Sequence, residues 1–287
     1  MPRFSIIIPV FNRASVVMDT IKSVFSQKYK AYELIIVDDG STDSLESHLS
    51  EEISAKKLKY VYQSNQGVSF ARNMGAFLAN GEYLLFLDSD DTVTENWLLD
   101  YEKAISEYNP DIVYCGINRM KGLEVVGYSD PHDPYANGID FGNVLPGSFC
   151  IRKSLFHQIG GYDEALAYGE NTELGFRLKM GDPILAFITA PNLLYTIQAV
   201  SHGKNARNKM QGLLHTIEKH TLLFNTHKDM KKRFLSIAGV SAIQCKEYSI
   251  ARVALLRAWK LKPFDMLAIF RYLIALSPWV SKKIWVR

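Results

Sequence analysis

The sequence predicts an α/β fold in which a doubly wound, mostly parallel sheet is followed by a helical C-terminal region. Over the first half of the chain, short apolar runs rich in Ile, Val and aromatic residues alternate with segments of helical apolar spacing. After residue 205 only the helical spacing remains, interrupted at Pro263 and Pro278. A chain of 287 residues, 47% of them hydrophobic and 22% charged, can bury a large core, and this composition indicates neither a disordered nor a multispanning protein.

The alternation begins with a strand, a helix and a second strand. Apolar runs at 4–10 and 33–37 flank a segment, 14–27, in which Val17 and Ile21 recur at helical spacing. The pattern continues to residue 205, with Gly160 and Gly161 ending one helix and a Pro- and Gly-rich loop at 121–147. It predicts strands at 58–62, 83–87, 111–115, 148–151 and 193–198, and helices at 68–79, 95–108, 153–159 and 174–180.

Polar residues follow four successive strands at the points where the strands end. Asn12 and Arg13 follow the first strand, the segment 38–43 the second, 65–67 the third and 88–90 the fourth. In doubly wound sheets, ligands bind outside the carboxyl ends of the strands. The sequence therefore predicts one binding site along this rim.

Three carboxylates follow the strand at 83–87. Asp88, Asp90 and Asp91 lie within four positions of one another, where like charges repel. A divalent cation such as Mn²⁺ or Mg²⁺ would relieve the repulsion, because hard cations prefer carboxylate oxygens and commonly bridge them to substrate phosphates. The alternative is a solvated turn in which Asp91 caps the next helix.

The cysteines and the N-terminus predict a cytoplasmic protein. Cys115, Cys150 and Cys245 are far apart, odd in number and set among apolar neighbours, which favours reduced, buried thiols over disulfides or a metal cluster. The apolar run at 6–8 is too short for the core of a signal peptide, and Pro9 follows it at once.

Charge is unevenly distributed along the chain. Residues 228–287 hold 13 Lys or Arg against 3 Asp or Glu, whereas residues 1–227 hold 20 against 27. Basic residues combined with Trp259, Trp279 and Trp285 favour contact with an anionic membrane surface over nucleic-acid binding. No apolar run approaches the ~20 residues of a spanning helix. A helical cap packed on the rest of the protein, with a solvated basic face, is an equal alternative.

Five motifs, in order along the chain, resemble those of a known family. They are SIIIPVFN at 5–12, VDDGSTD at 37–43, NQG at 65–67 with ARN at 71–73, FLDSDD at 86–91 and GENTEL at 169–174. Together they resemble the family 2 glycosyltransferases of the GT-A fold. The resemblance implies a Rossmann-like GT-A domain at 1–205, with a donor half at about 1–115 and an acceptor half at 116–205. Residues 206–287 then form a basic, amphipathic helical region.

The resemblance also implies a site, a donor and a cofactor. The donor is a nucleotide sugar, usually a UDP-sugar, and the cofactor is a divalent cation, Mn²⁺ or Mg²⁺. The residues implied to bind the nucleotide are Pro9, Phe11, Asn12, Asp38, Asp39, Ser41, Asn65, Gly67, Arg72, Asp88 and Ser89. The residues implied to bind the metal are Asp90, Asp88 and His202. Asp39 suits a base contact, because a carboxylate can accept the imide N–H of uracil.

Several of these assignments have structural alternatives. Ser41 or Thr42 is expected to cap the helix that follows. Arg72 lies one turn inside a helix whose N-terminal amides can face phosphate, but it can also pair with Asp88. A lone histidine such as His202 is usually structural or solvated.

The catalytic base is where the sequence departs from the family. Members often carry Glu-Asp in the last motif, and the Asp removes the acceptor proton, but Asn171 stands there in this chain. An amide cannot act as a general base at neutral pH. Glu170, predicted to lie in the loop before the helix, is the first candidate and Glu173, in the first helical turn, the second. The alternative is that both acids only complement the helix dipole.

The resemblance thus implies transfer of a sugar, with inversion, to a hydroxyl of a saccharide or lipid-linked saccharide. One alternative is a non-catalytic module that binds nucleotide sugars, motivated by Asn171. Another is a sugar-nucleotide nucleotidylyltransferase, which would need a Gly-rich, basic loop after the first strand, and the segment 9–13 lacks one.

Overall fold

The computed structural model describes residues 1–131, 144–197 and 205–285. The chain divides into two compact units. The first comprises Met1–Glu164 and Leu174–Ala199, and the second comprises Ala165–Glu173 and Val200–Arg287. The short stretch Ala165–Glu173, which lies within the predicted domain 1–205, therefore belongs to the same unit as the C-terminal helices.

The first unit is built on a sheet whose N-terminal half is parallel. The strands are β1 (Phe4–Val10), β2 (Tyr32–Asp38), β3 (Lys59–Tyr62) and β4 (Tyr83–Phe86), in the spatial order β3-β2-β1-β4. β1 is buried along its whole length, including Ser5, as expected for a mostly apolar strand that is covered on both faces. The predicted α/β class is confirmed, and the predicted strands lie within one or two residues of these.

Helices cover both faces of this half of the sheet. They are α1 (Ala14–Phe25), the short α2 (Leu45–His48) and α3 (Ser50–Ser54), which the sequence analysis did not predict, α4 (Val68–Leu78) and α5 (Trp97–Tyr108). α4 approaches β1 closely, because a Cβ on Gly75 would lie 2.3 Å from Cγ2 of Ile7. Gly75 thus allows α4, and the residues at its N-terminus, to sit directly on the sheet.

The second half of the sheet is mixed. Its strands are β5 (Thr92–Val93), β6 (Ile112–Lys121), β7 (Glu124–Ser129), β8 (Phe149–Arg152) and β9 (Leu185–Thr196). β8 runs antiparallel to both β4 and β6, whereas β9 runs parallel to β6. Three sequence predictions are corrected here. The strand at 111–115 is too short, the loop at 121–147 contains β7, and the strand at 193–198 begins at Leu185.

Two further helices complete the central part of the chain. They are α6 (Lys153–Gln158) and α7 (Glu170–Met180). After α6, Gly160 adopts φ +84°, which confirms the predicted glycine-marked helix end. The prediction that Glu170 precedes the next helix is wrong, because α7 begins at Glu170 itself.

The second unit is helical over its C-terminal part. Its helices are α8 (Ala206–Lys219), α9 (Thr221–Thr226), α10 (Lys228–Gln244), α11 (Tyr248–Leu261), α12 (Met266–Leu276) and α13 (Pro278–Trp285). Side-chain caps start two of them: Asn205 Oδ1 accepts from Asn208 N at 2.7 Å, and Asp265 Oδ1 accepts from Ala268 N at 3.0 Å. Across the described ranges, none of the helices combines the length and apolarity that crossing a membrane requires.

Candidate active site

The loops that follow β1 and β2 are joined by hydrogen bonds. Asn12, with φ +51°, donates its N–H to Ser41 Oγ at 3.0 Å and accepts from the Thr42 N–H at 2.8 Å. Asp43 reaches back to the first loop, where its Oδ2 accepts from the Ala14 N–H at 2.8 Å and so caps α1. The prediction that Ser41 or Thr42 caps the following helix is wrong, since both bind the first loop instead.

Asp38 is buried at the end of β2 and is held from two sides. Its Oδ1 accepts from the Ser41 N–H at 2.7 Å, and its Oδ2 accepts from the Tyr60 hydroxyl at 2.5 Å. Burial, followed by the bond to Asp38, raises the pKa of Tyr60 well above its ordinary value. Tyr60 therefore remains a donor, and Asp38 fixes the loop after β2 against β3.

Asp39 organises the start of α4. Its Oδ1 accepts from Gln63 Nε2 at 2.7 Å and from the Gln66 N–H at 2.8 Å, and its Oδ2 accepts from the Gly67 N–H at 2.8 Å. Gly67 adopts φ +94°, a conformation in which glycine is favoured. A carboxylate offers about four lone-pair sites. Three of these sites are occupied, so one lone pair of Asp39 remains for the predicted contact with the base of a nucleotide.

The other residues of the predicted nucleoside side lie in the same loops. Asn65 donates its Nδ2–H to the carbonyl of Asp39 at 2.9 Å. Pro9 is buried in β1 beyond Ile7, the last residue that pairs with β4, so its missing N–H does not interrupt that pairing. Phe11 is 49% exposed, which leaves an aromatic face available next to the rim.

Arg72 is a buried cation beside the acids at the end of β4. It is 2% exposed, its Nη2 lies 2.7 Å from Asp88 Oδ1, and its guanidinium lies 5.0 Å from the ring centre of Tyr162. The predicted ion pair with Asp88 is therefore present. Asn73, one position further along, bonds the backbone N–H and carbonyl of Tyr162 and so has a structural role.

Asp88, Asp90 and Asp91 form a compact acidic cluster. One carboxylate oxygen from each lies within 4.8 Å of the others. Asp90 is paired with Arg13 at 3.1 Å. Asp91 is buried and accepts from the Thr196 N–H at 2.8 Å, so it does not cap the next helix. Burial first, and then the charge of Asp88, raise the pKa of Asp91 to about 9.

This cluster fits a divalent cation. Asp88 and Asp90 are partly exposed and supply carboxylate oxygens, the ligands that hard cations prefer. Ser89 lies between them, also partly exposed. Arg13 and Arg72 bring two positive charges to the same rim, where a diphosphate would need them.

The two candidate bases belong to the second unit and differ in their surroundings. Glu173 is 0% exposed, and its Oε1 lies 2.9 Å from Lys219 Nζ and 3.0 Å from His220 Nε2. Glu170 is partly exposed and accepts from Asn171 Nδ2 at 3.1 Å. The arrangement suits Glu173 to a structural role and leaves Glu170 as the carboxylate with access to solvent.

His202 and residues 132–143 of the predicted loop lie outside the described residues. The sequence placed Arg13 and Asp43 at the rim without assigning either a role, and Tyr60 and Gln63 were not predicted to take part in it. The position of Arg13 directly after Asn12 was a signal for its part in the site. Tyr60 and Gln63 have no local signal, because their roles depend on which loops the fold brings together.

Comparisons with known proteins find related sequences and a related fold. The model of the glycosyl transferase family 2 matches residues 5–145. An uncharacterized glycosyltransferase of Rickettsia conorii is 44% identical over 146 residues, which cover 50% of this chain and 23% of that protein. The glycosyltransferase GlyG of Streptococcus pneumoniae is 33% identical over 175 residues, covering 54% of this chain and 58% of GlyG. The chain thus spans less than two thirds of the length of these curated relatives.

A solved structure has a similar fold. The crystal structure of S. aureus TarS 1–349 in complex with UDP superposes with a TM-score of 0.66 at 18% sequence identity, covering 99% of this chain and 91% of that one. A second structure of the same protein, in complex with UDP-GlcNAc, gives a TM-score of 0.64. At this level of identity the likeness establishes the GT-A fold of the chain.

Proposed function

Because the chain belongs to the family 2 glycosyltransferases, we propose that it transfers a sugar from a UDP-sugar to a hydroxyl of a saccharide or lipid-linked saccharide. The observation that carries this proposal is the rim at the ends of β1, β2 and β4. There Arg13 pairs with Asp90 and Arg72 pairs with Asp88, beside the loops that hold Asp38 and Asp39. The TarS complexes with UDP and UDP-GlcNAc support a uridine nucleotide as the donor's leaving group.

The two arginines and the two acids have complementary roles in donor binding. Asp88 and Asp90 would hold a divalent cation, which when bound supplies positive charge to the departing diphosphate. Arg13, released from Asp90, is then able to donate to two phosphate oxygens in bidentate fashion. Arg72 is buried against Tyr162 and keeps Asp88 in place. In this proposal Arg13 binds the diphosphate, whereas Arg72 positions Asp88.

Glu170 is the proposed general base. In the transfer, the acceptor oxygen forms a bond to the anomeric carbon while the bond from that carbon to the diphosphate oxygen breaks, which inverts the configuration. The acceptor proton passes to a Glu170 oxygen, since the amide of Asn171 cannot take it. Glu173 is already engaged by Lys219 and His220, and this supports the choice of Glu170.

The proposed location is the cytoplasmic face of a membrane, with peripheral contact through the C-terminal helices. The support is the excess of 13 basic over 3 acidic residues in 228–287. Lipid-linked saccharides would be accessible to an enzyme held at such a surface. Nucleic acid is not a proposed partner.

A panel of nucleotides tests the donor. UDP and UDP-sugars with Mn²⁺ should stabilise the protein, by about 2.7 kcal/mol at a hundredfold excess over Kd, whereas GDP and ADP should not. Thermal unfolding is measured for the wild type, for Asp90→Asn and for the matched control Asp19→Asn, whose side chain is 82% exposed. Asp90→Asn should lose the Mn²⁺-dependent part of the shift, and Asp19→Asn should keep it.

Turnover separates the proposal from its alternatives. Release of UDP from a bound UDP-sugar, with or without added saccharide acceptors, supports a transferase. Selective binding of UDP-sugars with no release across acceptors would instead indicate the non-catalytic module. Formation of a nucleotide sugar from UTP and a sugar 1-phosphate would indicate the nucleotidylyltransferase.

A further inference from the structure

The helical second unit contains a small cavity between α10 and α12. Its volume is about 250 Å³, below the ~300–1,000 Å³ of sites for drug-sized ligands, so it suits a single headgroup phosphate better than a nucleotide sugar. The lining residues lie at helical spacing on one face of α10, with one more from α12. They are Asp229, Lys232, Arg233, Ser236 and Ile237 of α10 and Arg271 of α12.

The lining carries an excess of positive charge. Lys232 pairs with Asp265, and Asp229 pairs with Lys262, so these charges are compensated. Arg233 and Arg271 have no carboxylate partner within the described part of the chain. A guanidinium presents a planar fork of N–H donors that matches two oxygens of a phosphate. Two such forks at one cavity favour an anion with several oxygens.

Ser236 adds an independent observation. Its side chain lines the cavity and is 3% exposed, yet its Oγ has no hydrogen-bond partner in the ranges that the structure describes. A buried hydroxyl without a partner costs about 1–3 kcal/mol in mutational data. A phosphate oxygen in the cavity would accept a hydrogen bond from this hydroxyl.

An exposed apolar surface lies on the same helix as Arg271. The large exposed side chains of α12 are all apolar: Met266, Leu267, Phe270, Leu273 and Leu276. In α13, Trp279 is 67% exposed and lies 3.8 Å from Lys283 Nζ, a pairing of aromatic ring and cation that suits a lipid headgroup region. Apolar residues beside cations at the same surface are typical of helices that lie in a membrane interface.

We propose that the cavity binds the phosphate of an anionic phospholipid headgroup while the apolar face of α12 enters the outer part of the acyl region. A second copy of the chain fits less well, because a symmetric contact would bring two cationic cavities together. The inference deepens the proposed membrane contact and is independent of the transfer chemistry. It names the lipid class, the residues that bind it and the helix that inserts.

Vesicle sedimentation tests the proposal. The full chain is mixed with vesicles of phosphatidylcholine alone or with phosphatidylglycerol added, and the partition coefficient is measured. The test variant is Arg233→Gln/Arg271→Gln, and the matched control is Arg252→Gln/Arg257→Gln, which removes two exposed charges of α11 outside the cavity. At about fivefold per cation near the surface, the test variant should bind anionic vesicles roughly 25-fold more weakly. The control should change less than about threefold.

A variant of the apolar face and a competition with soluble phosphate test the proposal further. Phe270→Ser/Leu273→Ser should weaken partition into anionic vesicles about tenfold or more, since it removes the exposed apolar face. Equal losses for the test and control charge variants would show a response to net charge alone and overturn the cavity. A second result would also overturn the proposal. It is binding of millimolar glycerol phosphate that the Arg233→Gln/Arg271→Gln variant loses while its vesicle binding stays unchanged, because the cavity would then bind soluble phosphate and not lipid.

Donor binding on the same variants separates this inference from the proposed function. Each variant should keep the UDP and Mn²⁺ thermal shift and a cooperative unfolding transition. A variant that loses vesicle binding together with its unfolding transition is replaced by the single changes Arg233→Gln and Arg271→Gln, each expected to give about a fivefold loss. If the wild type fails to bind anionic vesicles while it still binds UDP, the inference is wrong and the donor assignment is unaffected.

Discussion

Glu170 and Glu173 lie three positions apart in the first turn of α7, yet their surroundings differ. Glu173 is fully buried and held by Lys219 and His220, whereas Glu170 is partly exposed. We expect Glu170→Gln to lower kcat about 10²–10⁴-fold, because the proposed general base is lost, and to leave stability unchanged. Transfer rates and thermal unfolding give the two readouts.

Glu173→Gln should have the opposite profile. It removes a buried carboxylate that binds two cationic or polar partners, so we expect about 1–3 kcal/mol of destabilisation and a kcat within about threefold of the wild type. Glu218→Gln, at an exposed position of α8, is the matched control for both changes. If Glu173→Gln abolishes turnover in a protein that is still folded and Glu170→Gln does not, the roles are reversed.

Arg13 and Arg72 offer a second contrast between residues of one rim. Arg13 forms a partly exposed pair with Asp90, and Arg72 is buried against Asp88 and Tyr162. Arg13→Gln should therefore cost about 1 kcal/mol or less in stability, but should weaken UDP binding about tenfold or more, because the proposed phosphate contact of Arg13 is lost. Calorimetric titration with UDP and Mn²⁺ measures the affinity.

Arg72→Met should mainly destabilise the protein. The change removes a buried guanidinium, its ion pair and its contact with the Tyr162 ring, for an expected loss of about 2 kcal/mol. Arg72→Lys should not restore stability, since an ammonium cannot reproduce the planar stacking. Urea unfolding of both variants measures the loss, and full stability of Arg72→Lys would argue against the positioning role.

At the scale of elements, the approach of α4 to β1 depends on a missing side chain. Alanine is normally the better helix residue by about 1 kcal/mol. Gly75→Ala should nevertheless lower the melting temperature, because the new Cβ would lie 2.3 Å from Ile7 in a fully buried contact, and overpacking costs about 1–3 kcal/mol. Gly127→Ala in β7, whose nearest neighbour would be Arg119 Cδ at 3.7 Å, should be tolerated. A higher melting temperature for Gly75→Ala would mean that the helix can shift freely.

Glu33 couples β2 to the turn before β4 and gives a pH-dependent prediction. Burial by itself raises its pKa, but hydrogen bonds from Ser5, Asn80 and Gly81 outweigh burial and lower the pKa below its ordinary value. A lowered pKa in the folded state means that the carboxylate stabilises the fold above its unfolded pKa of about 4.3. This contribution is lost as the pH falls through the folded value.

The melting temperature of Glu33→Gln should therefore lie below that of the wild type at pH 7, and the gap should close on acidification below about pH 4. Glu51→Gln, at an exposed position of α3, controls for the loss of one charge. A gap that stays constant between pH 7 and pH 3 would show that the ionised form of Glu33 does not stabilise these contacts.

The elements that the sequence predicted well are those whose own residues determine whether they form a strand or a helix. β1 and β4 are short, mostly apolar runs, and both match their predicted ranges within one residue. β5 has only two residues and exists because it pairs with β9. The second half of β6 alternates between partly buried and exposed residues and is held by β7 and β9 on its two sides. Such strands depend on distant partners, which local spacing does not reveal.

The same distinction applies to the site. The sequence placed Asp39 and Asp88 at the rim because acids that follow buried strands are visible in it. It could not predict which groups donate hydrogen bonds to Asp39. These groups belong to residues 63–67, which are brought close to Asp39 by the pairing of β2 with β3. The burial of Glu173 could not be predicted either, since Lys219 and His220 lie more than forty positions away.

The charge of the whole chain is small, but it is divided sharply along the sequence. Residues 228–287 hold 13 basic and 3 acidic residues, and residues 1–227 hold 20 basic and 27 acidic ones. An anionic surface should attract the first segment and repel the second, which favours one orientation of the protein at a membrane. Salt should weaken this attraction far more than it weakens donor binding at the rim, because the side chains of Arg13 and Asp90 are only 19% and 22% exposed there and are less open to screening ions.

Raising the ionic strength from about 0.05 M to 0.5 M shortens the Debye length from more than 10 Å to less than 8 Å. Partition into vesicles that contain phosphatidylglycerol should fall about tenfold or more over this range, while the residual binding to phosphatidylcholine, which depends on the apolar face of α12, should not fall. The Kd for UDP with Mn²⁺ should change less than about threefold. Anionic-vesicle binding that is insensitive to salt would contradict the electrostatic contribution of the C-terminal helices, and an equal fall on neutral vesicles would trace the effect to the protein's own stability.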